Sequence, residues 1–209
     1  MEELQNYVHC FEPAVRAGAP TLLLLHGTGG NEDDLLPLGR MIAPGAALLS
    51  PRGKVLEHGM PRFFRRLSEG VFDEADVRAR AAELADFVAA AAKRYDIAAP
   101  IAVGYSNGAN IAAALLYLRP EVLSGAVLLR GMDPLAAGPE ARLDGKPVLL
   151  LSGAMDPFAP PPKVTRLVAA LQGAGAAVTH RTLPAGHELS QADLSAARTW
   201  LATAEENAA

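Results

Sequence analysis

Short, unbroken apolar runs separated by helical patterns constrain the fold of this chain more than any other feature. Leu22, Leu23, Leu24 and Leu25 are consecutive, and strand-like runs lie at 21–26, 46–50, 101–105, 125–129, 148–152 and 177–183. Runs this short, without polar alternation, suit strands covered on both faces, as in a parallel sheet. A weaker strand is expected within 4–12. Between the runs, Val77, Ala81, Leu84, Val88 and Ala92 repeat with the period of an amphipathic helix ending near Tyr95. Val164, Leu167, Val168 and Leu171 mark a second helix, and Leu194, Ala197, Trp200 and Leu201 a last one. Another is expected to begin near Asp34, with Pro37 tolerated in its first turn. Strand and helix in alternation predict a doubly wound α/β architecture with right-handed crossovers and a mostly parallel sheet of roughly seven strands. At 209 residues, a single domain over 1–209 accommodates this with a full core.

The chain is half hydrophobic and 20% charged, with a net charge of −4. Mild acidity gives no electrostatic reason to expect nucleic acid or an anionic membrane as a partner. Cys10 is the single cysteine, which excludes an intramolecular disulfide. No basic segment precedes an apolar core at the N-terminus, and no run approaches the ~18 apolar residues of a spanning helix. A cytoplasmic protein without stable membrane association is expected.

Gly104-Tyr105-Ser106-Asn107-Gly108 lies between an apolar run and an alanine-rich helical pattern. A serine with glycine two residues away on each side, where a strand turns into a helix, is the arrangement of a nucleophile elbow. The serine backbone is strained so that Oγ projects from the sheet, and the glycines leave room where a Cβ would collide. In an open parallel sheet, chemistry gathers beyond the carboxyl ends of the strands, and that rule sorts the partners. His187 follows the last strand and is the candidate base. Asp156 follows the strand before it, in the chain order serine, acid, histidine. Asp133, after the preceding strand, is the fallback, whereas Asp144 precedes its strand and falls at the wrong end. The glycine-rich turn after Leu22–Leu25 offers the Thr28 N–H, and the helix start offers the Asn107 N–H, as an oxyanion hole. His26 reads as a residue that shapes this loop. The loop lacks the Gly-Lys-Ser/Thr ending of a phosphate-binding loop, and Glu32 stands where a dinucleotide fingerprint needs its third glycine. His26, Asp33 and Asp34 match no metal-binding spacing, so neither a metal nor a cofactor is expected.

These residues resemble the phospholipase/carboxylesterase family of α/β-hydrolases, which includes acyl-protein thioesterases and small bacterial esterases. The resemblance runs from about Thr21 to Leu201. Its most telling segments are Leu24-Leu25-His26-Gly27-Thr28-Gly29-Gly30-Asn31-Glu32-Asp33-Asp34-Leu35-Leu36-Pro37-Leu38, Ser50-Pro51-Arg52-Gly53-Lys54-Val55 and Gly59-Met60-Pro61-Arg62-Phe63-Phe64-Arg65-Arg66. They look like a short bacterial subgroup, some of whose members are linked with hydroquinone or catechol stress. The resemblance implies an α/β-hydrolase fold, a Ser106, Asp156 and His187 triad, and Thr28 and Asn107 as oxyanion donors. One departure is that the wider family often carries glutamine after the nucleophile, where this chain has Asn107. The hole uses the backbone, so the departure touches side-chain contacts rather than the chemistry.

The stretch 51–73 shows no helical or strand period. Its Phe63 and Phe64, with Met60, are expected to wall an apolar pocket completed by Met132, Met155 and Phe158; an ordinary covering loop is the competing reading. Arg62, Arg65 and Arg66 read as solvated charges. Arg52 and Arg130, at strand ends, suit structural ion pairs or substrate polarity selection. No insertion is long enough for a large lid domain. The expected activity is hydrolysis of short- to medium-chain acyl or aryl esters through an acyl-enzyme, with a small-molecule ester as the partner. Acyl thioesterase or lysophospholipase-type activity is the enzymatic alternative, and a non-catalytic ligand-binding hydrolase fold the alternative of another class. A homodimer is compatible with the chain but signalled by no stripe in it.

Overall fold

The computed structural model describes residues 7–208. Strand β1 (His9–Glu12) pairs antiparallel with β3 (Ala47–Pro51), and β2 (Thr21–Leu25) pairs parallel with β3 on its other side. Four short strands, β4 (Val55–Glu57), β5 (Met60–Arg62), β6 (Arg66–Ser68) and β7 (Val71–Phe72), form two hairpins outside the main sheet. The sheet continues in parallel through β8 (Ile101–Tyr105), β9 (Gly125–Leu129), β10 (Pro147–Gly153) and β11 (Ala177–Leu183). Its order is β1-β3-β2-β8-β9-β10-β11, which puts β8 at the centre. The weak strand expected within 4–12 is the antiparallel edge β1; residues 4–6 lie outside the described part.

The consecutive leucines of β2 show why the apolar runs lack alternation. Leu22 and Leu24 pack with Leu48, Val103, Val127 and Leu149 against helices α1 (Leu36–Ile42) and α5 (Gln191–Ala208). Leu23 and Leu25 point the other way, with Leu49, Ala102, Leu128 and Leu150, toward α2 (Glu74–Tyr95), α3 (Asn107–Leu118) and α4 (Pro161–Gly173). All four leucines are fully buried, each contributing about 1.5–3 kcal/mol. Helix α2 starts at Asp73, whose side chain accepts from the Asp76 N–H at 3.2 Å, and stops where Asp96 turns left-handed at φ 53°. Every residue of α3 except Leu118 is buried, as expected of a helix apolar all round. Its alanines let it sit close against the sheet.

The stretch 51–73 differs from expectation. Its hairpins have strands too short to show a period, and His58 and Gly59, at φ 51° and 82°, turn the first one as a two-residue hairpin loop requires. Phe63 and Phe64 are 2% and 0% exposed and belong to the core, with Phe64 edge-on to Phe72. They are not pocket walls: burial of a whole aromatic ring gains more beneath the hairpin than at an open mouth. Arg62, read as solvated, is buried, while Arg65 is exposed. No large extra domain is added to the sheet and its helices, and no described helix is long and apolar enough to cross a membrane.

Candidate active site

Ser106 follows the central strand immediately and adopts φ 54°, ψ −113°, a conformation costly for a residue with a Cβ. Backbone contacts hold it there: its N–H donates to the Leu129 carbonyl at 2.9 Å. The flanking glycines are sterically required. A Cβ on Gly108 would lie 1.9 Å from the Leu25 carbonyl oxygen, and one on Gly104 would lie 2.4 Å from the Gly108 carbonyl oxygen.

His187, beyond β11, and Asp156, beyond β10, converge on this serine. His187 Nε2 lies 2.9 Å from Ser106 Oγ, and His187 Nδ1 lies 2.9 and 3.0 Å from the Asp156 carboxylate oxygens. That carboxylate is buried, and its Oδ1 also accepts from the Phe158 and Ala159 N–H groups at 2.9 and 3.2 Å. An acceptor at Nδ1 favours the imidazole tautomer that carries its proton there and turns a bare Nε2 toward Ser106 Oγ, the arrangement a general base requires. Asp133 is engaged elsewhere, accepting from Arg166 at 2.6 Å and from Tyr117 at 3.2 Å.

Three successive carbonyls around the histidine are held by two side chains, Tyr105 at the end of β8 and Arg130 just beyond β9. Arg130 Nε donates to Gly186 O at 2.8 Å, Tyr105 Oη to His187 O at 3.2 Å, and Arg130 Nη2 to Glu188 O at 3.1 Å. Arg130 also grips both oxygens of Asp193 at 2.7 and 2.8 Å, in a pair with essentially no exposure. Arg52 likewise pairs with Glu32. Tyr105 carries no sequence signal for its part, because a tyrosine ending a strand is commonplace.

Burial alone would raise the Asp193 carboxyl pKa; hydrogen bonds from Arg130 and Ser190 outweigh it and hold the group below the usual carboxylate range. A depressed folded-state pKa stabilises the fold above the unfolded value and is lost as pH falls through the folded one. Thermal melts should therefore show stability dropping below about pH 4, the unfolded aspartate range, and an Asp193→Asn variant should flatten that acid limb. An unchanged limb would refute the assignment.

The N–H groups of Thr28 and Asn107 have no backbone acceptor among the described residues. The Asn107 side chain accepts from the Phe63 N–H at 2.7 Å through Oδ1, leaving Nδ2 buried without a partner. Such an orphan donor costs about 1–3 kcal/mol. His26 shapes the loop: Nδ1 donates to Gly27 O at 2.7 Å, Nε2 accepts from the Gly53 N–H at 2.9 Å, and burial lowers its pKa, keeping it neutral.

A cleft of about 280 Å³ opens beside Ser106, lined in part by Thr28, Arg62, Arg66, Glu69, Asn110 and Met132. Phe158 also lines it and meets His187 edge-on at 5.0 Å. Of the apolar residues expected here, Met132 and Phe158 are present; Met60 and Met155 are surface-exposed and do not line the cleft. The lining is therefore more polar than the sequence suggested. Among the described residues, no cluster of His, Cys, Asp or Glu is disposed to hold a metal.

The profile of the phospholipase/carboxylesterase family matches residues 9–205. MhqD of Bacillus subtilis (strain 168) is 49% identical over 181 residues, spanning 86% of this chain and 90% of that protein. The Bacillus cereus carboxylesterase structure is 44% identical, with a TM-score of 0.92, covering 98% of this chain and 100% of that one. The structure of YahD with malic acid is 31% identical, with a TM-score of 0.87, covering 94% and 98%.

Proposed function

This chain belongs to the phospholipase/carboxylesterase family of α/β-hydrolases and is an esterase, and we propose that it works as a serine hydrolase on small, polar carboxylic esters. Ser106 Oγ attacks the ester carbonyl while His187 Nε2 takes its proton. Asp156 stabilises the imidazolium, and the Thr28 and Asn107 N–H groups receive the charge on the carbonyl oxygen. Collapse expels the alcohol, protonated by His187, and leaves an acyl-enzyme. Water, deprotonated by the same imidazole, then releases the acid and regenerates the serine. The observation that carries this reading is the unbroken hydrogen-bond chain from Asp156 through His187 to Ser106 Oγ.

The substrate class follows from the cleft. Its small volume and the charged Arg62, Arg66 and Glu69 favour short acyl groups bearing oxygen functions over long alkyl chains. Malic acid, a small polar acid, accompanies a related chain of the same fold, which supports the same class. A graded series of nitrophenyl esters should give the highest kcat/KM at two to four acyl carbons, falling at least about tenfold by eight, because added methylenes find no apolar wall to gain the about 0.8 kcal/mol of burial and a chain that outgrows the cleft of about 280 Å³ must bend or displace its lining. A nitrophenolate burst stoichiometric with enzyme should precede the steady state when deacylation is slow. Rising kcat/KM toward long chains would overturn the substrate assignment.

A further inference from the structure

The two proposed oxyanion donors come from distant parts of the chain, Thr28 beyond β2 and Asn107 at the start of α3. An oxyanion hole works only when its donors are fixed in advance at the position the charge will occupy. Three consecutive residues hold both. The Pro61 carbonyl accepts from the Gly29 N–H at 2.9 Å, Arg62 Nη1 donates to Thr28 Oγ1 at 2.9 Å, and the Phe63 N–H donates to Asn107 Oδ1 at 2.7 Å.

This strap is anchored in turn. Arg62 is 3% exposed; it donates through Nη1 to Glu57 at 3.0 Å and through Nε to the Phe64 carbonyl at 3.2 Å. Glu57 also accepts from Arg66 at 2.9 Å. Beneath the strap, a Cβ on Gly53 would lie 2.4 Å from the Arg62 carbonyl carbon, and Gly53 itself donates to His26. The Phe63 ring lies 4.8 Å from the His26 ring. Backbone N–H groups can only donate, so the Phe63 contact dictates which way the Asn107 amide faces. The orphan Nδ2 follows from that orientation.

We propose that the Pro61-Arg62-Phe63 strap sets the spacing of the oxyanion hole, with Arg62 acting through the Thr28 hydroxyl as a positioning residue. The inference rests on the roles given above to Ser106, Thr28 and Asn107. The Thr28→Val variant tests it most cleanly, because it keeps the backbone N–H and the branched shape and removes only Oγ1. On a short nitrophenyl ester, kcat should fall roughly tenfold or more with KM within about twofold, since small misplacements at a reacting centre have effects of this size. Affinity for a trifluoromethyl ketone, which forms an oxyanion on the serine, should fall in parallel. Thr28→Ser should restore both. Arg62→Met should reproduce the loss, and adding Thr28→Val to it should cost little more, because one contact is being removed twice.

A Thr28→Val enzyme with unaltered kcat and ketone affinity, or one altered only in KM, would overturn the proposal, whether or not Arg62→Met folds. Wild-type activity that survives Ser106→Ala is a different failure: it would remove the reading of the site itself and the inference with it.

Discussion

Ser106→Ala is expected to lower turnover of a short nitrophenyl ester by roughly 10⁴-fold or more, leaving the residue that binding and oxyanion donors supply without a nucleophile. Labelling by a fluorophosphonate should vanish with it. The fold should survive, because alanine removes one hydroxyl whose partner is the half-buried His187 imidazole. Asp156→Asn should also cost on the order of 10³–10⁴ in kcat, through the wrong imidazole tautomer. Retained labelling in Ser106→Ala would place the nucleophile elsewhere and leave the 2.9 Å contact with His187 without a catalytic meaning.

The second large effect should come from Arg130→Met, and it should appear first in stability. Arg130 adopts φ 57°, is 1% exposed, and satisfies the Leu151, Gly186 and Glu188 carbonyls as well as Asp193. Removing it strands a buried carboxylate, which costs about 3–5 kcal/mol. For a chain of this size that is a fall in Tm of roughly 6–20 °C. Pairing the change with Asp193→Leu should recover part of the stability, because two apolar groups replace a desolvated ion pair. Activity should stay low in the double variant, since the carbonyls flanking His187 still lack their donors. A single variant that melts within 2 °C of wild type would show that the pair contributes little.

The positions of Ser106, Asp156 and His187 were legible because each lies just beyond a strand whose apolar run is unmistakable. In a parallel sheet, all such strand ends open on one rim. Chain order and strand-end position favour Asp156 over Asp133, and in the fold Asp156 meets His187 while Asp133 meets Arg166. The stretch 51–73 was opaque for an equally physical reason. Its strands are two or three residues long, too short for a period of two to emerge. Its aromatic residues looked like pocket walls, and its arginines like solvent-facing charges. The reverse holds for Phe64 and Arg62, because partners decide burial. Glu57 and Thr28 make a buried guanidinium tolerable, and nothing in the neighbouring sequence announces them.

By itself, then, the amino-acid order determined which segments become the strands of the main sheet and the helices that cover it, the sheet's layering, and which side chains reach its carboxyl rim. Those depend on local periodicity and on glycines that allow close backbone approach. Tertiary structure alone decided what braces that rim: Arg130 and Tyr105 on the carbonyls around His187, and the Pro61–Phe63 segment between Thr28 and Asn107. Each of those contacts joins residues far apart in the chain. Its geometry exists only once the sheet has brought them together.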